Sequence, residues 1–328
     1  MYQQDIRKIA IVRRNGFGDF ICAVPLIMHL EKTYPDAVIT LFVDERNHSI
    51  VPYFFTHLKT VVIPAGNKYL SLLRAGLTYR AEKFDLVISV KSSPMKLNNL
   101  FLAVLGGKHN LAIVDEKSWH SKFINHPRNA DLYKIGHQAL QCLRIFDPAI
   151  QHISSDLYPK ISLNRLTPLS VSLPSPYLLV SVSNNRISST LSSTSLASIA
   201  NDIYKKHDIS LIISCHKKDK KQAKELQHAL NMPSQIFITP DLNSFLSVLN
   251  LADIVLVGDG GICHFAACMN KNLVALYAGT SLEKWGPLSE QAICLFDTNN
   301  VNNIPEIEIK KAVETFLISS PSNKAVLP

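Results

Sequence analysis

The chain has 328 residues, 47% hydrophobic and 18% charged, which excludes a disordered or fibrous protein and suits two domains of ordinary size. Its formal charge of +8 calls for an anionic partner: nucleic acid, a phospholipid surface or a phosphorylated glycolipid. Six cysteines without a C-x-x-C pair suggest neither a zinc site nor a redox motif, so reduced, mostly buried thiols are expected.

Residues 1–8 are polar and run into a short apolar stretch, 9–12, that ends at Arg13 and Arg14, which is not the pattern of a signal peptide. No apolar run approaches the roughly 18 residues of a membrane span, so a soluble, cytoplasmic protein is expected. Runs of β-branched residues at 8–13, 38–43, 60–63 and 85–90 alternate with helical patterns, the grammar of βαβ units around a parallel sheet. From about 147 to 176 the pattern lapses into a Ser-rich segment with Pro148, Pro159, Pro168, Pro174 and Pro176, which reads as an interdomain connection. The alternation then restarts with a strand over 178–182, a helix over 193–206, a strand over 210–214 and a helix over 218–230. A strand over 254–257, a helix over 262–269, a strand over 273–277 and a last helix over 305–317 complete it. The expected fold is α/β, two Rossmann-like doubly wound domains over 1–165 and 166–328 facing across a cleft, the last helix packing back on the first domain.

Open α/β sheets bind ligands beyond the carboxyl ends of their strands. After Arg13 comes Arg14-Asn15-Gly16-Phe17-Gly18-Asp19, too short for G-x-G-x-x-G and not a P-loop. Its glycines permit a tight turn and put Asp19 near a helix start, where it serves either a ligand or only as a cap. The stretch Asp259-Gly260-Gly261-Ile262-Cys263-His264 runs from a buried strand through a glycine turn into a helix. Unpaired N–H groups there suit a phosphate, with His264 adding a donor; a plain capped turn is the other reading. A third strand-end loop holds Gly279, Thr280 and Ser281 and leads to Trp285, which either contacts a ligand or packs.

These three stretches, in order and over about residues 10–290, resemble the lipopolysaccharide heptosyltransferases, glycosyltransferase family nine. The resemblance implies a GT-B fold and inverting, metal-independent transfer of heptose from ADP-heptose to the lipopolysaccharide inner core. The donor falls to the C-terminal domain and the acceptor to the N-terminal one. It further implies Asp19 as general base and Asp259, Gly260, Gly261 and His264 on the donor's diphosphate, with Thr280 and Trp285 beside them. Gly260 stands where relatives often have Ser or Thr, so one hydroxyl contact is absent. Many members carry a Lys or Arg a few residues after the position of Arg186; here 187–193 has none, so Arg186 replaces it or the donor binds more weakly. Asp219 lies near where relatives place an acid on the donor ribose, although its lysine-rich surroundings also read as a solvated helix face. Lys91 and Lys96, in the loop after the strand at 85–90, meet phosphates or acidic sugars of the acceptor or serve only as solubilising surface lysines, and Arg14 is grouped with them on the acceptor side.

The implied partner is an anionic glycolipid, the lipopolysaccharide core on lipid A, met at the inner membrane surface. Nucleic acid is set aside because no zinc-finger, helix-turn-helix or RNA-binding signature is present. A dehydrogenase fails for want of the dinucleotide fingerprint. A non-catalytic nucleotide-sugar-binding protein of the same fold, or a transferase using another activated sugar, remains the alternative.

Overall fold

Strands form where short apolar runs can be buried on both faces, as parallel sheets require. In the computed structural model, which describes residues 5–14, 16–130 and 135–319, the chain divides into two compact units, 1–159 and 160–328. The division falls six residues before the expected 165/166 boundary and inside the proline-rich connection, which forms only the 3₁₀ turns Ser155–Leu157 and Leu163–Arg165.

The first unit contains strands β1 (Lys8–Val12), β2 (Val38–Asp44), β3 (Lys59–Ile63), β4 (Leu86–Ser89), β5 (His109–Val114) and β6 (His126–Asn129), all parallel, in the order β3-β2-β1-β4-β5-β6. Its helices are α1 (Phe17–Ile21), α2 (Val24–Thr33), α3 (Glu45–His48), α4 (Val51–Phe54), α5 (Lys68–Tyr79), α6 (Lys96–Leu105) and α7 (Gln138–Phe146). Pro25 sits in the first turn of α2, where its missing N–H costs no hydrogen bond, and the chain breaks between α1 and α2. Phe42, Phe84 and Phe101 pack edge to face under α5 and α6.

The second unit repeats the plan with β7 (Tyr177–Ser181), β8 (Ser210–Cys215), β9 (Ser234–Ile238), β10 (Ile254–Gly258), β11 (Asn272–Ala278) and β12 (Ala292–Asp297), in the order β12-β11-β10-β7-β8-β9. Its helices are α8 (Ser193–Lys206), α9 (Lys220–His228), α10 (Leu242–Leu251), α11 (Gly261–Cys268), α12 (Leu282–Trp285) and α13 (Glu306–Ser319). The apolar face of α13, Ile309, Ala312, Val313 and Phe316, lies in this unit's own core.

Strand for strand the two orders are the same, and a shared polar device pins the central pair of each sheet. Asp85 Oδ2 accepts from the N–H groups of Arg7 (2.9 Å) and Lys8 (3.0 Å) ahead of β4, and Asp253 Oδ2 accepts from the Tyr177 N–H (2.9 Å) ahead of β10. Each sheet therefore has a topological switch point, between β1 and β4 and between β7 and β10, where ligands of such folds bind. Among the described residues, no helix is long and apolar enough to cross a membrane.

Candidate functional site

At the first switch point the β1 strand ends in Arg13, whose side chain is 1% exposed. A buried guanidinium needs partners for its fork of donors. Arg13 Nε donates to the Asp19 carbonyl at 2.8 Å, Nη2 to Asp19 Oδ1 at 2.5 Å, and Nη1 to the carbonyl of Val90 beyond β4. The buried arginine thus ties the ends of β1 and β4 to the first turn of α1. The cap of that helix is Gly16, with no side-chain cap bond, so Asp19 is not the cap that the sequence allowed. Its carboxylate turns instead to the cations, with Lys91 Nζ 3.9 Å from Oδ1. Burial pushes the Lys91 ammonium below the usual lysine range, against the pull of Asp19.

Asp19 Oδ2 makes no hydrogen bond among the described residues, and the side chain is 27% exposed, so the carboxylate is anchored through Oδ1 and reaches solvent. Beneath the cluster, Ser92 Oγ donates to Gln138 Oε1 (3.0 Å), and Gln138 Nε2 approaches Cys142 Sγ (3.8 Å). Burial pushes the Cys142 thiol up, which makes it a packing group. Arg14 is half-buried, its Nε lacks a hydrogen-bond partner among the described residues, and the carboxylate acting on it is Asp44. Lys96, the first residue of α6, stands 5.3 Å over the Trp119 ring and is absent from the Asp19 cluster. Asn15 lies outside the described residues.

At the second switch point, Asp259 is buried to 3% and forms an ion pair with Arg186, whose Nη1 also donates to Thr280 Oγ1 at 3.0 Å. Asn184 organises the pair: its Oδ1 accepts from the Arg186 N–H (3.0 Å) and its Nδ2 donates to the Asp259 carbonyl (3.0 Å). Three expected residues from three loops therefore meet. Gly260 and Gly261 bring the chain into α11, and His264 is buried in its first turns. Gly261 is not among the positive-φ glycines, and Gly260 is extended at φ 163°.

The glycine that packing demands is Gly258, where a Cβ would fall 1.7 Å from the Ser189 carbonyl oxygen. Gly279, at φ 67°, does need the left-handed freedom of glycine. Trp285 closes α12, and its carbonyl accepts from the Tyr277 hydroxyl at 3.0 Å. Asp219 leaves the lysine-rich surface: Ser183 Oγ donates to its Oδ2 at 2.5 Å and accepts from the His216 N–H at 2.8 Å, joining the ends of β7 and β8.

Chemically, the first centre offers a carboxylate fixed by cations, and the second a cation beside the start of a helix. Among the described residues no group of three or more His, Cys, Asp or Glu is gathered to hold a metal ion. Sequence reasoning missed Arg13, Asn184, Ser183 and Gly258 as site residues.

The profile of the family described as "Glycosyltransferase family 9 (heptosyltransferase)" matches residues 151–316. Among curated proteins there is no sequence match. Among solved structures, a glycosyl transferase family 9 protein from Veillonella parvula superposes with a TM-score of 0.81 at 15% identity, over 97% of this chain and 100% of that one. An E. coli ADP-heptose LPS heptosyltransferase II gives 0.76 at 17% identity, over 95% and 98%. The E. coli heptosyltransferase WaaC with ADP gives 0.73 at 14% identity, over 94% and 99%. At such identities the likeness shows the fold, a GT-B type built of two parallel six-stranded α/β sheets.

Proposed function

The chain belongs to glycosyltransferase family 9, and from that premise we propose that it transfers a heptose from ADP-heptose to the inner core of lipopolysaccharide, with inversion at the anomeric carbon. The observation that carries this reading is Asp19, anchored through Oδ1 by a buried arginine while its Oδ2 makes no hydrogen bond among the described residues.

In the reaction an acceptor hydroxyl attacks the anomeric carbon, its proton passes to Asp19, and the bond from that carbon to the diphosphate oxygen breaks, releasing ADP. A positioned base contributes roughly 10²- to 10⁴-fold. Arg13 holds Asp19 in one orientation before the reaction, and Lys91 adds positive charge beside it. On the donor side, the N–H groups at the start of α11 and the Arg186 guanidinium meet the charge that grows on the leaving diphosphate. That assignment needs no metal. Asp219, fixed by Ser183, is assigned to the donor ribose, and Arg14 and Lys91 to an anionic glycolipid acceptor at the cytoplasmic face of the membrane.

A second reading is supported by Arg186 itself, already engaged by Asp259 and Thr280 with no cation at 187–193: a nucleotide-sugar-binding protein without transfer. Incubation with ADP-heptose and truncated core acceptors separates the two. The proposal expects acceptor to gain one heptose and ADP to appear with it. Binding without gain or release supports the alternative, and transfer from a different activated sugar corrects the donor.

A further inference from the structure

The first unit carries an apolar face that its own core does not use. α5 buries Leu72 and Gly76 against the sheet and α6, yet it turns Tyr69, Leu70, Leu73 and Leu77 outward, 62%, 44%, 45% and 58% exposed. At about 100° per residue these four fall in one stripe roughly 100° wide, adjoining the buried one. A helix covering a sheet ordinarily shows charge on that side, and a contiguous patch of large apolar residues marks a binding surface. Beside α6, the 3₁₀ turn Trp119–Phe123 exposes Trp119 (53%) and Phe123 (42%), with the Lys96 ammonium over the indole.

The charge around this face is one-sided. From Lys68 to Tyr79 the helix has exposed Lys68 and Arg74 and no acidic residue, and exposed Arg80 follows directly. Arg80 grips the C-terminal end of α6 through the Val104 carbonyl at 3.0 Å, which keeps the two helices in register under the face. An apolar stripe bordered by cations matches a bilayer boundary: acyl chains below, anionic headgroups at the rim. A second copy of the same face would bring like charges together, which opposes self-association.

We propose that this face docks the protein on an anionic bilayer, with Tyr69, Leu70, Leu73 and Leu77 in the headgroup–acyl boundary and the flanking cations on lipid phosphates. α5 and α6 are crossovers between parallel strands, so their first residues, Lys68 and Lys96, lie at the carboxyl edge of the sheet, the edge that carries Asp19. Docking there holds that edge close to the headgroups. Its use in catalysis rests on the glycolipid-acceptor reading; the docking itself does not.

The test is co-sedimentation of the full chain, without donor or acceptor, with phosphatidylcholine vesicles and with vesicles containing about a third phosphatidylglycerol. The expected result is binding to the anionic vesicles at least about 10-fold above the neutral ones, weakened as salt shortens the Debye length toward about 3 Å. Tyr69→Ser/Leu73→Ser/Leu77→Ser should lower that binding about 10-fold or more while the melting temperature, ADP affinity and any transfer to a soluble, lipid-free acceptor stay as in the parent. Parent protein that does not bind anionic vesicles, or a folded triple variant that binds them equally, overturns the proposal. So does a parent dimer that the substitutions dissolve without any vesicle binding, which assigns the face to self-association. Failure of ADP-heptose transfer alone overturns the functional reading and leaves the vesicle result standing.

Discussion

The two switch points share a strand order and differ in what fills them. In the first unit the end of β1 supplies a buried arginine, and the carboxylate is a quarter exposed in the turn that follows. In the second the carboxylate, Asp259, is buried, and the arginine that pairs with it is half in solvent. The burial is reversed. An open carboxylate held in one orientation by a buried guanidinium suits a positioned base, whereas an open guanidinium held by a buried carboxylate suits an anion. One topology thus carries two complementary chemistries, and the contrast supports giving the base to one unit and the leaving group to the other.

The largest expected effect breaks the first centre. Asp19→Asn should cut turnover by 10²-fold or more, with ADP affinity within a few-fold of the parent. Because Asp19 is no cap but the partner of a buried guanidinium, the amide leaves Arg13 under-compensated and should cost about 1–3 kcal/mol, read by denaturant melts. Turnover near that of the parent in the folded variant would remove the base from this centre.

Next comes Gly258→Ala, whose methyl group meets the Ser189 carbonyl. It should cost on the order of 1–3 kcal/mol and lower ADP affinity by displacing the 187–189 turn and with it Arg186. A melt and an ADP titration that both match the parent would show that the close approach is not needed.

Arg186→Ala should then weaken ADP binding by about 10-fold, as loss of one charge-assisted contact does, with Arg186→Lys recovering part of it. Its stability effect should be smaller than that of Asp19→Asn: the missing guanidinium is the more exposed partner, so water can reach Asp259. Unchanged ADP affinity would favour a purely structural ion pair.

The smallest effect sharpens the acceptor side. Lys91→Ala should slow transfer more than Lys96→Ala, since only Lys91 approaches Asp19 while Lys96 rests on Trp119. Equal losses in initial rates would mean that distance from Asp19 does not govern the lysine contribution.

Much of the fold was legible because central parallel strands are buried on both faces and read as continuous apolar runs: β1, β2, β4, β7, β10 and β11 were each expected within a residue or two. The strands β6, β9 and β12, all at sheet edges, escaped, although the edge strand β3 with its apolar run was expected at 60–63. His126–Asn129 alternates half-buried and exposed residues and contains a proline, so its extended state comes from pairing with β5 and not from its own pattern. β5 was also missed, although it is buried, and α10 was hidden by Asn243, Ser244, Ser247 and Asn250, polar residues in a helix whose Ser247 hydroxyl bonds the Thr167 carbonyl at 2.8 Å.

At the sites, Asp19, Arg186, Asp259 and Thr280 stood out because loops at strand ends can be located from the strands themselves. What binds to what could not be read in the same way. Arg13 looked like the last residue of a strand, and nothing local says that a side chain in that position turns inward to Val90, 77 residues away. Gly258 is required by a backbone atom 69 residues earlier, and Asp219 sits in a run of lysines until Ser183 is seen to hold it. Local composition names the candidates, but tertiary packing selects their partners.

The most direct measurement of the central claim is the intact mass of a truncated core acceptor after incubation with the protein and ADP-heptose, with Asp19→Asn run beside it. The account predicts acceptor heavier by one heptosyl residue, ADP released in equal amount, and almost no product from the variant. Acceptor unchanged in mass after incubation with folded, ADP-binding protein would contradict it.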